Sequence, residues 1–172
     1  MIGDGGRRDH LFDPQRGILY ITTAFGTIQR FDVASQMMLE PWQVGIDLHG
    51  ADITTDFEHL YVAEGASGPE FGVVRKVSLD DGSVENITYA LDNALGGTFD
   101  ISIGSHDKAL VTFENIYGGW DPLRELDLAT DQIAIRPIPG LNDVQSNASL
   151  DRSTDRSAIV FASAVAEQTA TW

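Results

Sequence analysis

Cysteine is absent from this chain of 172 residues. Without thiols the fold cannot contain disulfides, and a zinc site built on thiolates is excluded. Apolar residues make up 42% of the sequence and charged residues 22%, which is ordinary for a folded globular chain. These shares also lie well outside the composition of intrinsically disordered proteins.

Basic residues are scarce, with 11 Lys and Arg against 26 Asp and Glu and a formal net charge of −15. Such a charge argues against a nucleic-acid backbone or an anionic membrane as the partner, because both would be repelled. It favours cations instead. An acidic surface that only keeps a β-rich protein soluble explains the same charge without any ligand.

Long apolar runs are also missing. The longest extends from Ala158 to Ala166 with one serine inside it, which is too short to span a bilayer. We therefore expect no membrane insertion. The N-terminal segment Met1–Arg8 has no apolar core after its charges, so it does not have the pattern of a secretory signal.

The sequence does contain a repeat. Three amphipathic phrases and four apolar runs upstream of them recur along the chain: Ile28–Val33, Val74–Leu79 and Leu123–Leu128 for the phrases, with runs anchored at Leu19, Leu60, Leu110 and Ile159. Both series have a period of roughly 40 to 50 residues, which indicates β-propeller blades when the units are strands. No stretch with the 3.6-residue period of a helix is present.

Each unit is predicted to hold four antiparallel strands. Asp-bearing turns lead into the apolar run, the phrase forms the third strand, and a polar turn leads to an outer strand. The predicted outer strands are Gln43–Leu48, Val84–Tyr89 and Ile133–Pro137, and the predicted innermost strands are Ala51–Thr54, Phe99–Ile103 and Ala148–Arg152.

In these features the chain resembles bacterial β-propellers of the YVTN, NHL and lactonase-like kind, whose blades carry an Asp-rich turn, Leu-Tyr-Val and an Arg-x-x-Asp-like phrase. Leu60-Tyr61-Val62 and Arg124-Glu125-Leu126-Asp127 are the best matches. The resemblance covers almost the whole chain and implies a scaffold fold rather than a particular reaction. Trp120-Asp121 falls in a predicted loop, so the WD-repeat branch fits less well.

The fold class predicted for the chain is all-β, with propeller blades of four antiparallel strands in an incomplete ring. The approximate repeats are 11–50, 51–97, 98–147 and an incomplete 148–172. Closed propellers use about four to eight blades, so about three and a half blades would leave the ring open. We favour a fragment of a longer protein over the rival interpretation, a partial propeller that self-associates through its open blade edges.

Carboxylates are predicted to gather on the face around the central channel, where loops leave the second strand and enter the first: Asp52, Glu64, Asp100 and Glu114. Carboxylate oxygens are the ligands that calcium prefers, so the pattern predicts a Ca²⁺ site. No local spacing fixes a coordination shell, and solvated loop carboxylates are the simpler interpretation.

His49 is the histidine placed for chemistry on the channel face, because His59 and His106 fall in turns at the opposite face. The resemblance to propeller lyases implies proton abstraction with His49 as the base and Glu64 or Glu114 as its orienting partner. No histidine pair has the spacing of metal ligands.

Tyr117 and Trp120 flank two glycines in the most individual loop of the chain. Aromatic rings on a propeller face would stack against a sugar or a peptide. The alternative is that both rings cap the blade below them.

The leading functional prediction is a recognition or scaffold module, part of a larger exported bacterial protein located outside the cytoplasm, in the periplasm or beyond. Its partner would be a protein, a peptide or a carbohydrate. The alternative is a lactonase-like or lyase-like propeller enzyme with a divalent cation in the central channel.

Overall fold

The computed structural model describes residues 6–65, 70–91, 96–115, 118–137 and 143–162 in full, and the backbone of residues 167–171. In this part of the chain every regular element is a β-strand. No helix long and apolar enough to cross a membrane occurs there. The predicted all-β fold class is confirmed.

The strands form consecutive antiparallel sheets, each of which we call a blade. Blade 1 contains β1 (Arg7–Asp13), β2 (Ile18–Thr23), β3 (Thr27–Asp32) and β4 (Met37–Gln43); blade 2 contains β5 (Leu48–Ile53), β6 (His59–Glu64), β7 (Phe71–Ser78) and β8 (Val84–Ala90). Blade 3 contains β9 (Thr98–Ile103), β10 (Lys108–Phe113), β12 (Arg124–Asp127) and β13 (Gln132–Ile135), with a small ribbon of β11 (Trp120–Asp121) and β14 (Val144–Gln145) beside it. Blade 4 contains β15 (Ser149–Arg152), β16 (Ala158–Ala162) and β17 (Glu167–Thr171). The architecture is that of an incomplete β-propeller.

The tight turns explain why the first two strands of each blade fold back on each other. In blade 2, Asp56 Oδ1 accepts hydrogen bonds from Thr54 Oγ1 at 2.5 Å and from the Glu58 amide at 3.0 Å. In blade 4, Asp155 Oδ1 likewise accepts a hydrogen bond from Ser153 Oγ at 2.6 Å. Short polar side chains thus satisfy backbone and hydroxyl groups locally, as is typical of turns of this kind.

The core lies between the blades, and the strand registers show how it is built. One apolar ladder crosses each blade on the face toward the preceding blade: Ile53–Leu60–Val77–Val84 in blade 2 and Ile103–Ala109–Leu126–Ile133 in blade 3. The blade 2 ladder packs against Ile18, Tyr20 and Ile28 of blade 1. The blade 3 ladder packs against Tyr61, Val74 and Ile87 of blade 2.

This register corrects one of the predicted anchors. Leu60 pairs with Ile53 and faces blade 1, whereas the predicted equivalent Leu110 pairs with Ser102 and packs toward blade 4. Ala109 is the residue that matches Leu60. Because side chains alternate along a strand, a slip of one residue moves every later position of that blade to the opposite face.

The predicted outer strand Gln43–Leu48 is wrong. The outer strand of blade 1 is β4, and Leu48 already belongs to the innermost strand of blade 2. A bulge in the pairing with β3 accommodates Pro41, which has no amide hydrogen to offer. Trp42 then stacks on Tyr20 at 5.8 Å between ring centroids.

Candidate functional site at the loop end

Antiparallel order gives each blade two ends. We call loop end the side with the connections from the second to the third strand and from the outer strand to the next blade, such as residues 24–26, 44–47, 114–115 and 118–123. The opposite side, with the tight turns, is the turn end. Arg16 in a turn of blade 1 donates to the carbonyl of Phe57 in a turn of blade 2 at 2.6 Å, so these turns lie side by side.

A cavity of about 780 Å³ follows the innermost strands β1, β5, β9 and β15, where a propeller has its channel. Its lining includes Arg8, His49, Phe99, Asp100, Ser149 and Arg152. The wall therefore mixes charges of both signs with apolar side chains.

Three aspartates of the channel wall connect each blade to the next. Asp9 Oδ2 accepts from the Ala51 amide at 2.9 Å, Asp52 Oδ2 from the Ile103 amide at 2.8 Å, and Asp100 Oδ2 from the Leu150 amide at 2.7 Å. The other oxygen of each carboxylate accepts the amide of the following residue in its own strand, at 2.7 to 2.8 Å. Both oxygens of the predicted metal ligands Asp52 and Asp100 are thus engaged with backbone amides.

Burial has a clear electrostatic effect on two of these groups. Desolvation raises the pKa of Asp100 to about 7, against the opposing effect of its two backbone hydrogen bonds. Desolvation also raises the pKa of Asp9. Asp9 and Asp52 raise the Asp100 pKa further, because nearby negative charges disfavour a third.

Two arginines of blade 4 span the channel toward its turn end. Arg152 forms a two-point ion pair with Asp52, with Nε–Oδ2 at 2.7 Å and Nη2–Oδ1 at 3.0 Å. Arg156 donates to the carbonyls of Ile103 at 3.0 Å and Ile53 at 2.7 Å. These contacts join blades 2, 3 and 4 at the turn end. The Arg152 guanidinium also neutralises the Asp52 carboxylate without any metal ion.

Glu64 does not point into the channel, although the sequence suggested it. Its carboxylate is fully buried and accepts from Arg75 Nη2 at 3.0 Å and from Arg75 Nε at 3.1 Å. The amides of Ile46 and Asp47 also donate to it, at 3.1 and 2.8 Å. Glu64 thereby fixes the loop from blade 1 to blade 2 rather than standing free for a ligand.

The loop end brings together Asp47, His49 and Glu114, with one potential ligand atom from each within 4.8 Å of the others. His49 Nε2 lies 3.4 Å from Asp47 Oδ2 and 3.7 Å from Glu114 Oε1. Two predicted site residues, His49 and Glu114, therefore meet. Asp47 was missed by sequence reasoning, although its position two residues before His49 was a usable signal, because alternate residues of an extended chain point to the same side.

The surroundings hold the histidine in place. The Phe99 ring packs against the His49 ring with centroids 5.2 Å apart, and Thr22 Oγ1 of blade 1 donates to the His49 carbonyl at 2.6 Å. Gly65 faces the cluster, and a Cβ at this position would lie 2.6 Å from His49 Nε2 and 2.9 Å from Glu114 Oε2. A side chain at this position would therefore displace His49 or Glu114.

Large apolar side chains are also exposed at the loop end. The exposed fractions are 69% for Phe25, 67% for Ile46, 62% for Trp120 and 44% for Phe71. Trp120 is the predicted ligand-binding aromatic, and it lies in the ribbon strand β11 on the same connection as Glu114. Its predicted partner Tyr117 lies outside the described residues.

No family model matches the chain, and no curated protein does either. Among solved structures, the chain is similar to the hydrazine synthase of Kuenenia stuttgartiensis, with 15% identity and a TM-score of 0.69 over 88% of this chain and 42% of that one. It is also similar to U3-55K, with 10% identity and a TM-score of 0.65 over 94% of this chain and 47% of that one.

Both of these proteins contain β-propellers, and the likeness shows that fold for this chain. The chain spans less than half the length of either structure. At such low identity the comparison carries nothing about activity or partners. Membership of the YVTN, NHL or lactonase-like group stays a prediction from the sequence.

Proposed function

We propose that the chain is a β-propeller recognition module that binds a peptide or a protein segment with apolar side chains at its loop end. The observation that carries the proposal is the exposure of Phe25, Ile46, Phe71 and Trp120, which lie in or beside connections of three successive blades at this one end. Exposed aromatic groups of this kind mark interaction surfaces, since rigid rings bury a large area at a low entropic cost.

The chemistry of the channel wall supports recognition over catalysis. Asp9, Asp52 and Asp100 accept hydrogen bonds from amides of the neighbouring blade, and Glu64, which does not point into the channel, is paired with Arg75. These carboxylates serve the scaffold. At the turn end, the carboxylates of the Asp-bearing turns accept hydrogen bonds from amides of their own turns, so they too serve the scaffold.

The test is selection of binders from a displayed peptide library, followed by titration of the enriched peptides. We expect the triple variant Phe25→Ser, Ile46→Ser, Trp120→Ser to bind them at least about tenfold more weakly than the wild type, which corresponds to about 1.4 kcal/mol. The matched control is Val33→Ser with Met37→Ser, which removes exposed apolar groups from the turn end. Equal loss in both variants, or no enrichment at all, would contradict the proposal.

The second candidate function is the lactonase-like or lyase-like propeller enzyme, and the meeting of His49 with Glu114 and Asp47 favours it. Catalytic hydrogen bonds are often long before substrate binds, so a separation of 3.7 Å between His49 Nε2 and Glu114 Oε1 is compatible with a base and its orienting partner. The assay is hydrolysis of an aryl lactone with Zn²⁺ or Ca²⁺ supplied. An enzyme would show turnover that His49→Ala abolishes and that His59→Ala retains.

Export and membership of a larger protein belong to the proposal as well. Export rests on the resemblance described above, and membership of a larger protein rests on the number of blades that the repeat predicts.

A further inference from the structure

We infer that Asp47, His49 and Glu114 form a binding site for a divalent transition-metal ion of the zinc type at the loop end. The inference goes beyond peptide recognition and does not depend on it. It differs from the calcium site expected from the sequence in its ligands and in its metal, because Asp52, Glu64 and Asp100 take no part.

The distances suit a small ion. Donor atoms bound to zinc at about 2.1 Å in a tetrahedron lie roughly 3.4 Å from one another. The His49 nitrogen lies 3.4 Å from the Asp47 oxygen and 3.7 Å from the Glu114 oxygen. The potential ligand atoms of all three residues lie within 4.8 Å of one another.

A second observation is the state of His49, which is only 4% exposed. Its Nε2 points between two carboxylates, with a long hydrogen bond of 3.4 Å to Asp47 Oδ2 and a separation of 3.7 Å from Glu114 Oε1. An ion between the three groups would bind the buried nitrogen and both carboxylates at once.

Two neighbours of the cluster, Arg8 and Gly65, have positions that suit a metal site. Arg8 Nη2 lies 3.3 Å from Asp47 Oδ1, the oxygen that does not face His49. Such outer contacts orient a ligating carboxylate. Gly65 leaves the space beside His49 Nε2 and Glu114 Oε2 open, where any side chain would collide with both.

The donor set decides the class of metal. One imidazole nitrogen with two carboxylate oxygens suits zinc and similar divalent ions, whereas calcium takes six to eight oxygen ligands. The carboxylates are partly exposed, at 28% for Asp47 and 23% for Glu114, so an ion can reach them.

The experiment is titration of the full chain with Zn²⁺ and, separately, with Ca²⁺, without any peptide. We expect one Zn²⁺ per chain and much weaker Ca²⁺ binding. Glu114→Gln keeps the size of a partly exposed side chain, and we expect it to weaken Zn²⁺ binding at least about tenfold, as His49→Ala does. The control is His106→Asn, which removes an exposed histidine from a turn with positive φ, a conformation that asparagine tolerates.

Two outcomes would overturn the site: no Zn²⁺ binding by the wild type, or equal Zn²⁺ binding by the wild type and Glu114→Gln. Circular dichroism of each variant separates loss of the site from loss of the fold. Because peptide binding is measured in a separate assay with added chelator, failure of the recognition proposal and failure of the metal site are distinguishable.

Discussion

Individual aspartates solve a specific problem of this architecture. The innermost strand of each blade is a sheet edge at the channel, and its outward amides have no neighbouring strand to pair with. Asp9, Asp52 and Asp100 accept those amides from the next blade, at Ala51, Ile103 and Leu150. Each carboxylate thereby satisfies a backbone donor and joins two blades at once.

Asp100 should make stability depend on pH in an unusual direction. Its folded-state pKa of about 7 exceeds its ordinary value of 3.8, so the folded chain binds more protons than the unfolded chain between these two values. The contribution of Asp100 to the free energy of unfolding is therefore full below about pH 4 and is lost as the pH rises toward 7. The slope is at most about 1.4 kcal/mol per pH unit for one proton.

The measurement is urea denaturation of the wild type and Asp100→Asn from pH 4 to pH 8. We expect the advantage of the wild type over the variant to shrink as the pH rises. Asp155→Asn is the control, because hydrogen bonds from Ser153 and Ser157 lower the pKa of Asp155 to about 2, so its contribution to stability stays nearly constant from pH 4 to pH 8. Parallel pH profiles for the wild type and Asp100→Asn would show that burial does not raise the Asp100 pKa.

At the scale of strands, the pattern of the sequence predicts type and order well and register less well. The apolar runs that begin at Ile18, Leu60, Ala109 and Ala158 all lie in second strands, because alternation and polar turns are local signals. Leu110 was aligned with Leu60 because both side chains are fully buried. Leu60 faces the preceding blade, however, whereas Leu110 faces the next one. In a strand covered on both faces, hydrophobicity alone does not reveal the side.

The site shows the same division between local and long-range information. Chain order placed His49 and Glu114 at the loop end, and the structure brings them together. The partners of Asp52 and Asp100 lie 51 and 50 residues away along the chain, on neighbouring blades. No spacing in the sequence reports such a contact, so these carboxylates resembled metal ligands.

The pair of Glu64 and Arg75 gives a prediction for the strands β6 and β7. Glu64→Gln leaves the largely buried Arg75 without its counter-charge, and we expect the free energy of unfolding to fall by about 3 kcal/mol. The matched control is Glu125→Gln on the pair with Arg136, whose side chains are 28% and 21% exposed. This pair is more exposed than that of Glu64, and Lys108 Nζ also lies 3.9 Å from Glu125, so we expect a smaller loss of about 1 kcal/mol. If urea denaturation showed the same loss of unfolding free energy for Glu64→Gln and Glu125→Gln, burial of Glu64 would not govern its contribution to stability.

At the scale of the whole molecule, blade 1 carries an apolar ladder that none of the described blades covers. Phe12, Leu19, Phe31 and Met38 pair in register across its four strands, in the positions of the buried ladders of blades 2 and 3. Phe12 is 49% exposed and Met38 39%. Since the equivalent ladders pack against a preceding blade, this one has the shape and chemistry of a blade-docking face.

We expect a second copy of this chain to occupy the blade 1 ladder, because an open stack of blades invites pairing with another chain whether or not the chain is a fragment of a larger protein. Phe12→Asp with Met38→Asp places two charges on the contact, where each would be buried without a partner. Sedimentation equilibrium at micromolar concentrations should show a wild-type dimer and an association at least about tenfold weaker in the double variant.

Met37→Asp is the matched control for this association, because Met37 is the adjacent residue of β4, is 63% exposed and alternates to the other side of the strand. We expect it to associate as the wild type does. A wild type that is monomeric throughout would show that no second copy binds this face. If Met37→Asp weakened association as much as the double variant does, the contact would lie elsewhere on blade 1.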